Sequence, residues 1–210
     1  MAMKKEQRSE ETKRSIIAAA AKLFAARGYE SVSIREIAKE AGCSHTTIYI
    51  YFEDKEALLH ALSMQPLEEL HSALTVAAQA KELTPSEQLQ RINRLFIQFC
   101  LEHRSMYTVF FEAKSIRVDE QSPQLAINEL RNQMFATLMG ALQRYLDIEE
   151  GEALLRCSRT YFYMLRGIIG TYALSEESQE SIINRLSDTF DDAFEALLLG
   201  LKIQLGKGAM

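Results

Sequence analysis

No apolar run in this sequence approaches the eighteen or so residues that a membrane-spanning helix needs, and no signal-peptide pattern opens it. The expectation is a cytoplasmic protein with no membrane partner. Cysteine is scarce: Cys43, Cys100 and Cys157 are odd in number and lack paired spacing, which argues against a disulfide framework and reads as reduced thiols. The four histidines are scattered, so no metal-ligand cluster is visible. Neither a nucleophile–base motif nor a phosphate-binding glycine loop is found. No catalytic residue, metal or cofactor is therefore assigned, and the chain is read as a non-enzyme. Alternating β-branched runs and Asn-Gly turns are missing as well, which leaves little signal for strands.

What is present is helical and mildly acidic. The 210 residues exceed one average domain, and a hydrophobic content of 47% can fill a sizeable core. The net charge of −5 alone argues against nucleic acid. Its distribution does not, because residues 1–60 carry ten Lys and Arg against nine Asp and Glu, so the acidity belongs to the rest of the chain. Lys4, Lys5 and Arg8 precede the expected first helix as a basic arm, open to two readings: a phosphate or minor-groove contact, or a solvated tail.

The most informative stretch is Ser31 to Phe52, SVSIREIAKEAGCSHTTIYIYF. Ser33 and Glu36 have capping-box spacing, and Val32 and Ile37 stand where a hydrophobic staple is expected. Ile34, Ile37, Ala38 and Ala41 then face inward at helical spacing. Gly42 ends that helix, where a left-handed conformation is cheap only for glycine. Ser44 can cap a second helix whose Ile48 points back to the core. This is the layout of a helix-turn-helix, whose second helix enters the major groove of DNA. Serine and threonine can bond bases or phosphates, and tyrosine hydroxyls reach phosphates. The candidate DNA-binding residues are Ser33, Arg35, Ser44, His45, Thr46, Thr47, Tyr49, Tyr51 and Lys55.

From Thr12 to Leu59 the chain resembles the N-terminal DNA-binding domain of the tetracycline-repressor (TetR) family of bacterial regulators. The matching residues are Ala20, Leu23, Phe24, Gly28 and Tyr29 at the end of the first helix, then Ser33, Ile37, Ala38, Ala41 and Gly42 in the hairpin. They continue through Thr47, Ile48, Tyr49, Tyr51, Phe52, Asp54, Lys55, Glu56 and Leu58. Departures fall at Cys43, at His45-Thr46 and at Ile50, so no operator sequence can be borrowed from a relative. The resemblance implies a dimer on palindromic double-stranded DNA, about nine helices, a C-terminal four-helix interface and a small-molecule chamber.

Periodicity and punctuation give an all-α fold with helices at roughly 9–27, 34–41, 45–51, 55–80, 86–103, 105–113, 123–146, 151–173 and 177–204. Pro66, Pro85 and Pro123 are expected at or near helix boundaries, with Thr84-Pro85 and Ser122-Pro123 as N-cap and N1. Two domains are expected: a three-helix helix-turn-helix domain over 1–58, and a helical ligand-binding and dimerisation domain over 59–205. The join lies within the fourth helix, at about Leu59 to Leu67.

The penultimate helix is apolar on two faces, and the last carries a wide apolar stripe, so one surface is expected to meet a second subunit. Phe162, Leu165, Ile169, Leu186, Phe190, Phe194 and Leu197 are the candidate interface. Gly167 and Gly170 would allow close approach. Aromatic and methionine side chains in the middle of the chain fit plain core as well as a pocket; the resemblance favours the pocket. Candidate ligand-binding residues are Phe96, Phe99, Cys100, Tyr107, Phe110, Phe111, Met134, Phe135, Met139, Tyr161, Met164 and Ile168. The effector is expected to be small and lipophilic. Glu112 and Asp119 would suit a cation, and Arg159 and Arg166 a carboxylate, unless those arginines pair with Asp188, Asp191 or Glu195. The function expected is a ligand-responsive repressor. A thiol-based redox regulator using Cys43 or Cys157, and an enzyme using the central cavity, are the alternatives.

Overall fold

A computed structural model describes residues 2–104 and 126–206, and eight helices with no strand among them. The all-α expectation holds. The helix expected at 105–113, with Tyr107, Phe110 and Phe111, lies outside the described residues, as do Glu112, Asp119 and Pro123.

Helix α1 runs Ala2–Arg27, so Lys4, Lys5 and Arg8 belong to a helix and form no separate arm. It buries Ile16, Ala20 and Phe24 and stops at Gly28, whose φ of +78° is open to glycine at little cost. Helix α2, Ile34–Glu40, opens on the expected capping box: the Glu36 amide donates to Ser33 Oγ at 3.3 Å, and the Ser33 amide to Glu36 Oε2 at 2.8 Å. Helix α3, His45–Tyr51, is capped by Ser44 Oγ, which accepts from the Thr47 amide at 3.1 Å. Gly42, at φ +68°, makes the turn between them. Ile37, Ala38 and Ile48 are buried together with Val32 and Phe52, which fixes the angle of the hairpin on α1.

Helix α4, Lys55–Gln79, packs on α1 and also on α5 (Pro85–Glu102) and α6 (Ala126–Leu146). Its end is held by neighbours: Arg144 Nη2 donates to the Ala78 carbonyl at 2.7 Å, and Gln88 Nε2 to the Ala80 carbonyl at 2.8 Å. These bonds satisfy carbonyls that a helix C-terminus leaves orphaned. Pro66 lies inside α4, not at a boundary. The apolar face of α4 continues past it through Leu67, Leu70 and Leu74, and this tertiary packing overrides the proline signal. Pro85 does sit at the start of α5, behind a Thr84–Glu87 capping box.

Helices α7 (Glu152–Tyr172) and α8 (Gln179–Gln204) complete the body. Tyr161 stacks on Phe194 with ring centres 4.9 Å apart, and Tyr172 meets Phe190 at 5.9 Å. Asn93 Nδ2 on α5 donates to the Tyr161 hydroxyl at 2.6 Å, and Arg94 and Gln90 both hold Asp191 on α8.

Candidate nucleic-acid interface and central cavity

The exposed side of α3 carries His45, Thr46, Tyr49 and Ile50, with Tyr49 53% and Ile50 77% exposed. Arg35 on α2 is exposed beside it. Tyr49 and Ile50 are thus adjacent large side chains left in water on a hairpin whose inward face buries Ile37, Ala38 and Ile48. The other candidates have local duties. Ser44 Oγ caps α3 and lies 2.9 Å and 2.8 Å from the Thr46 and Thr47 hydroxyls. Ser33 Oγ donates to Glu36 Oε2 at 2.7 Å. These bonds, with the Arg27 guanidinium, hold the Glu36 carboxyl down to about 2. Tyr51 is half-buried, and its hydroxyl accepts from Ser9 Oγ at 3.1 Å.

Lys55 requires a correction. Its ammonium does not reach out toward phosphate but turns inward. It donates to the Tyr29 carbonyl at 2.9 Å and the Val32 carbonyl at 3.1 Å, and stands 4.1 Å from the centre of the Tyr29 ring. It ties the start of α4 to the loop between α1 and α2. Position alone cannot separate a lysine beside a DNA-reading helix from one that satisfies two loop carbonyls, because both need a cation at the start of α4.

A narrow apolar cavity of about 30 Å³ lies between α4, α5, α6 and α7. Phe96, Met134 and Phe135 line it as expected. Leu74, Ile92 and Leu138 also line it. So do Phe162 and Leu165, which the sequence reading assigned to the dimer interface. Tyr161 is fully buried toward Asn93 and Phe194 and is not among the lining residues; neither is buried Cys100. Phe99 packs on His103 at 4.6 Å, while Met139, Met164 and Ile168 are half-buried at other places on the core.

The charged residue in the wall is Arg131, which sequence reasoning missed. It is 6% exposed, and Nη1 donates to Asn128 Oδ1 at 3.0 Å. Burial, then the charge of Arg166, pulls its guanidinium down to about 10. Its charge also reaches His60 on α4, whose imidazole is held below its ordinary value, chiefly by burial. The signal was in the pattern: Ile127, Leu130, Arg131, Met134, Phe135 and Leu138 share one helical stripe, and a cation in the middle of it is out of place.

Comparison with known proteins agrees with this geometry. The sequence model described as "Bacterial regulatory proteins, tetR family" matches residues 16–62, which hold the whole hairpin. Residues 16–62 carry a DNA-binding domain of the TetR family. Among curated relatives, the uncharacterized HTH-type transcriptional regulator YuxN of Bacillus subtilis is 31% identical over 116 residues, which are 55% of this chain and 40% of that protein. The chain spans less than half the length of the curated relatives it matches first. Two solved TetR-like structures share the fold. FadR of Bacillus subtilis, in complex with stearoyl-CoA, has a TM-score of 0.62 at 21% identity, covering 88% of this chain and 97% of that one. PfmR of Thermus thermophilus has a TM-score of 0.59 at 23% identity, covering 84% and 97%.

In this TetR-like fold the expected dimer face is turned inward. Leu165, Ile169, Phe190 and Phe194 are all buried within the protomer, at 7% exposure or less, and Leu186 and Leu197 are half-buried against the same core. The surface left open is the opposite one. Tyr163 is 64% exposed on α7, one turn before Gly167, and Ala196, Leu199 and Ile203 form an exposed stripe on α8, with Gly200 half-buried between them. A side chain added at Gly167 or Gly200 would meet nothing within 4 Å. A helix apolar on both sides must bury both, and its sequence does not say which side belongs to its own core.

The alternatives gain nothing from the geometry. Burial pushes the Cys43, Cys100 and Cys157 thiols up, away from the thiolate a redox switch needs. Among the described residues, the cavity wall offers no nucleophile paired with a base. Asp191, a suggested partner for Arg159 or Arg166, is held by Arg94 and Gln90.

Proposed function

We propose that this protein is a ligand-responsive transcriptional repressor that binds palindromic double-stranded DNA as a homodimer and lets go when a small lipophilic molecule enters the central cavity. The observation that carries this reading is that one helix, α4, packs both on the helix-turn-helix unit and on the walls of the cavity. Residues 1–58 act as the reading head and 59–205 as the sensing and dimerising body.

On the DNA side, His45 and Thr46 at the front of α3 face base edges, and Ile50 suits a thymine methyl. The Tyr49 hydroxyl and the Arg35 guanidinium meet phosphates. Ser33, Ser44, Thr47 and Tyr51 shape the hairpin and approach the backbone from it. One seven-residue helix with no lysine or arginine reads too little DNA to bind tightly alone. Two helices related by a twofold axis read half-sites roughly 34 Å apart, one turn of the duplex. The exposed Tyr163, Leu199 and Ile203 supply the apolar surface that joins them.

On the ligand side, the aromatic and methionine walls are adaptable, and the FadR neighbour carries a fatty acyl thioester. An effector releases DNA only by binding the non-operator arrangement more tightly, and a hundred-fold preference is worth about 2.7 kcal/mol. Titration of a labelled operator duplex into the full-length protein tests the assignment of residues. His45→Ala should change which base pairs are preferred, whereas Tyr49→Phe should weaken every duplex alike. Unchanged preference in the first variant would remove α3 as the reading helix.

A further inference from the structure

Helix α3 is short of the side chains that recognise bases by paired hydrogen bonds. Across His45–Tyr51, HTTIYIY, there is no arginine or lysine to pair with guanine, no asparagine or glutamine to pair with adenine, and no carboxylate to pair with cytosine. Arg35 is exposed, but it belongs to α2. His45 and Tyr49 keep polar groups for a base edge and a phosphate. The two threonines are already engaged. Ser44 Oγ caps the helix by accepting from the Thr47 amide, and the Thr46 and Thr47 hydroxyls lie 2.9 Å and 2.8 Å from that same oxygen. Thr46 is exposed, and with its hydroxyl bonded into the cap its γ-methyl is the group left uncommitted. One turn further on, Ile50 is 77% exposed and offers only hydrocarbon. Thr46 and Ile50 are four residues apart, so they stand one above the other on a single face, while Ile48 holds the opposite face in the core.

We propose that α3 recognises thymines by their methyl groups, with Thr46 and Ile50 each packed against the C5-methyl of a thymine in the major groove. This rests on the reading of α3 as the recognition helix and narrows its DNA to a class: half-sites that carry two closely spaced thymines. The methyl is an apolar group that cytosine, adenine and guanine do not present there. Side chains four apart on a helix have Cβ atoms about 5–6 Å from each other. Successive bases of a strand are about 3.4 Å apart along the duplex. The two methyls therefore lie one or two base steps from each other. Recognition of this kind adds discrimination without adding salt dependence, and the phosphate contacts of Tyr49 and Arg35 supply the affinity common to all sequences.

The test replaces thymine by deoxyuridine, one position at a time, in the duplex that the full-length protein selects from a random-sequence pool. Uracil pairs as thymine does and lacks only the 5-methyl group. At two thymines of each half-site the exchange should weaken binding about four-fold for each methyl removed, the worth of one buried carbon. Ile50→Ala should erase the penalty at one of these positions and Thr46→Ser at the other, a coupling that double-mutant cycles read directly. Thr46→Val, which keeps the methyl and drops the hydroxyl, should keep the penalty. A selected duplex indifferent to uracil at every position would overturn the methyl reading and leave α3 standing as the recognition helix. Penalties that persist undiminished in Ile50→Ala and Thr46→Ser would do the same. A penalty lost in Thr46→Val but kept in Thr46→Ser would give that contact to the hydroxyl and overturn the role of Thr46. Failure to select any sequence would overturn the recognition-helix reading and this inference with it.

Discussion

At the scale of single residues, Lys55 shows how a side chain beside a binding surface can serve the fold instead. It closes two carbonyls of the α1–α2 loop and covers the Tyr29 ring, in a neighbourhood where burial and the charge of Glu56 push the Tyr29 phenol up to about 12. Lys55→Ala should therefore lower stability by about 1–3 kcal/mol, the cost of leaving half-buried carbonyls unmet, with the salt dependence of DNA binding unchanged. Thermal melts and binding at two ionic strengths check this. A shallower salt slope with an unchanged melting temperature would restore the phosphate role. Arg131 shows the reverse: a charged residue legible in the sequence as a break in an apolar stripe, whose burial beside Asn128 only the structure shows. The exposed face of α3 was readable because capping serines and inward Ile48 leave only one side for His45, Thr46 and Tyr49.

At the scale of helices, local chemistry settled most of the outcome. The Ser33–Glu36 and Thr84–Glu87 boxes and the Ser44 cap stand where sequence spacing put them, because these bonds join residues only three apart. Two elements escaped that logic. Pro66 lies inside α4 because burial of Leu59, Ser63, Leu67 and Leu70 outweighs one missing backbone hydrogen bond. Since that bond lies midway along the helix shared by reading head and body, Pro66→Ala should stabilise the protein by up to about 3 kcal/mol. It should also make DNA release less sensitive to effector, measured as the shift in operator affinity at saturating ligand. A loss of stability would mean that the ring itself is required by the packing around α4. The other element is α7, whose two apolar faces are equivalent in the sequence; only Tyr161 meeting Asn93 and Phe194 decides which is inside.

For the whole molecule, the division of charge between a near-neutral head and an acidic body matches a division of labour in which DNA meets only the first. In the proposed dimer a second copy covers the open apolar stripe of α8. Leu199→Glu should then yield a monomer with unchanged helical content and sharply weakened operator binding, seen by sedimentation and circular dichroism. The same substitution at Phe194 should unfold the body. A Leu199→Glu variant that still dimerises would move the interface to another surface. The central claim, a symmetric DNA reader released by a lipophile, is tested most directly by selecting bound duplexes from a random-sequence pool and measuring anisotropy on the winner with and without decanoate as the lipophile. The account predicts one near-palindromic sequence with half-sites a helical turn or a multiple of it apart, bound by two chains and released by the ligand. Enrichment of no sequence, with weak binding that salt abolishes on every duplex, would contradict it.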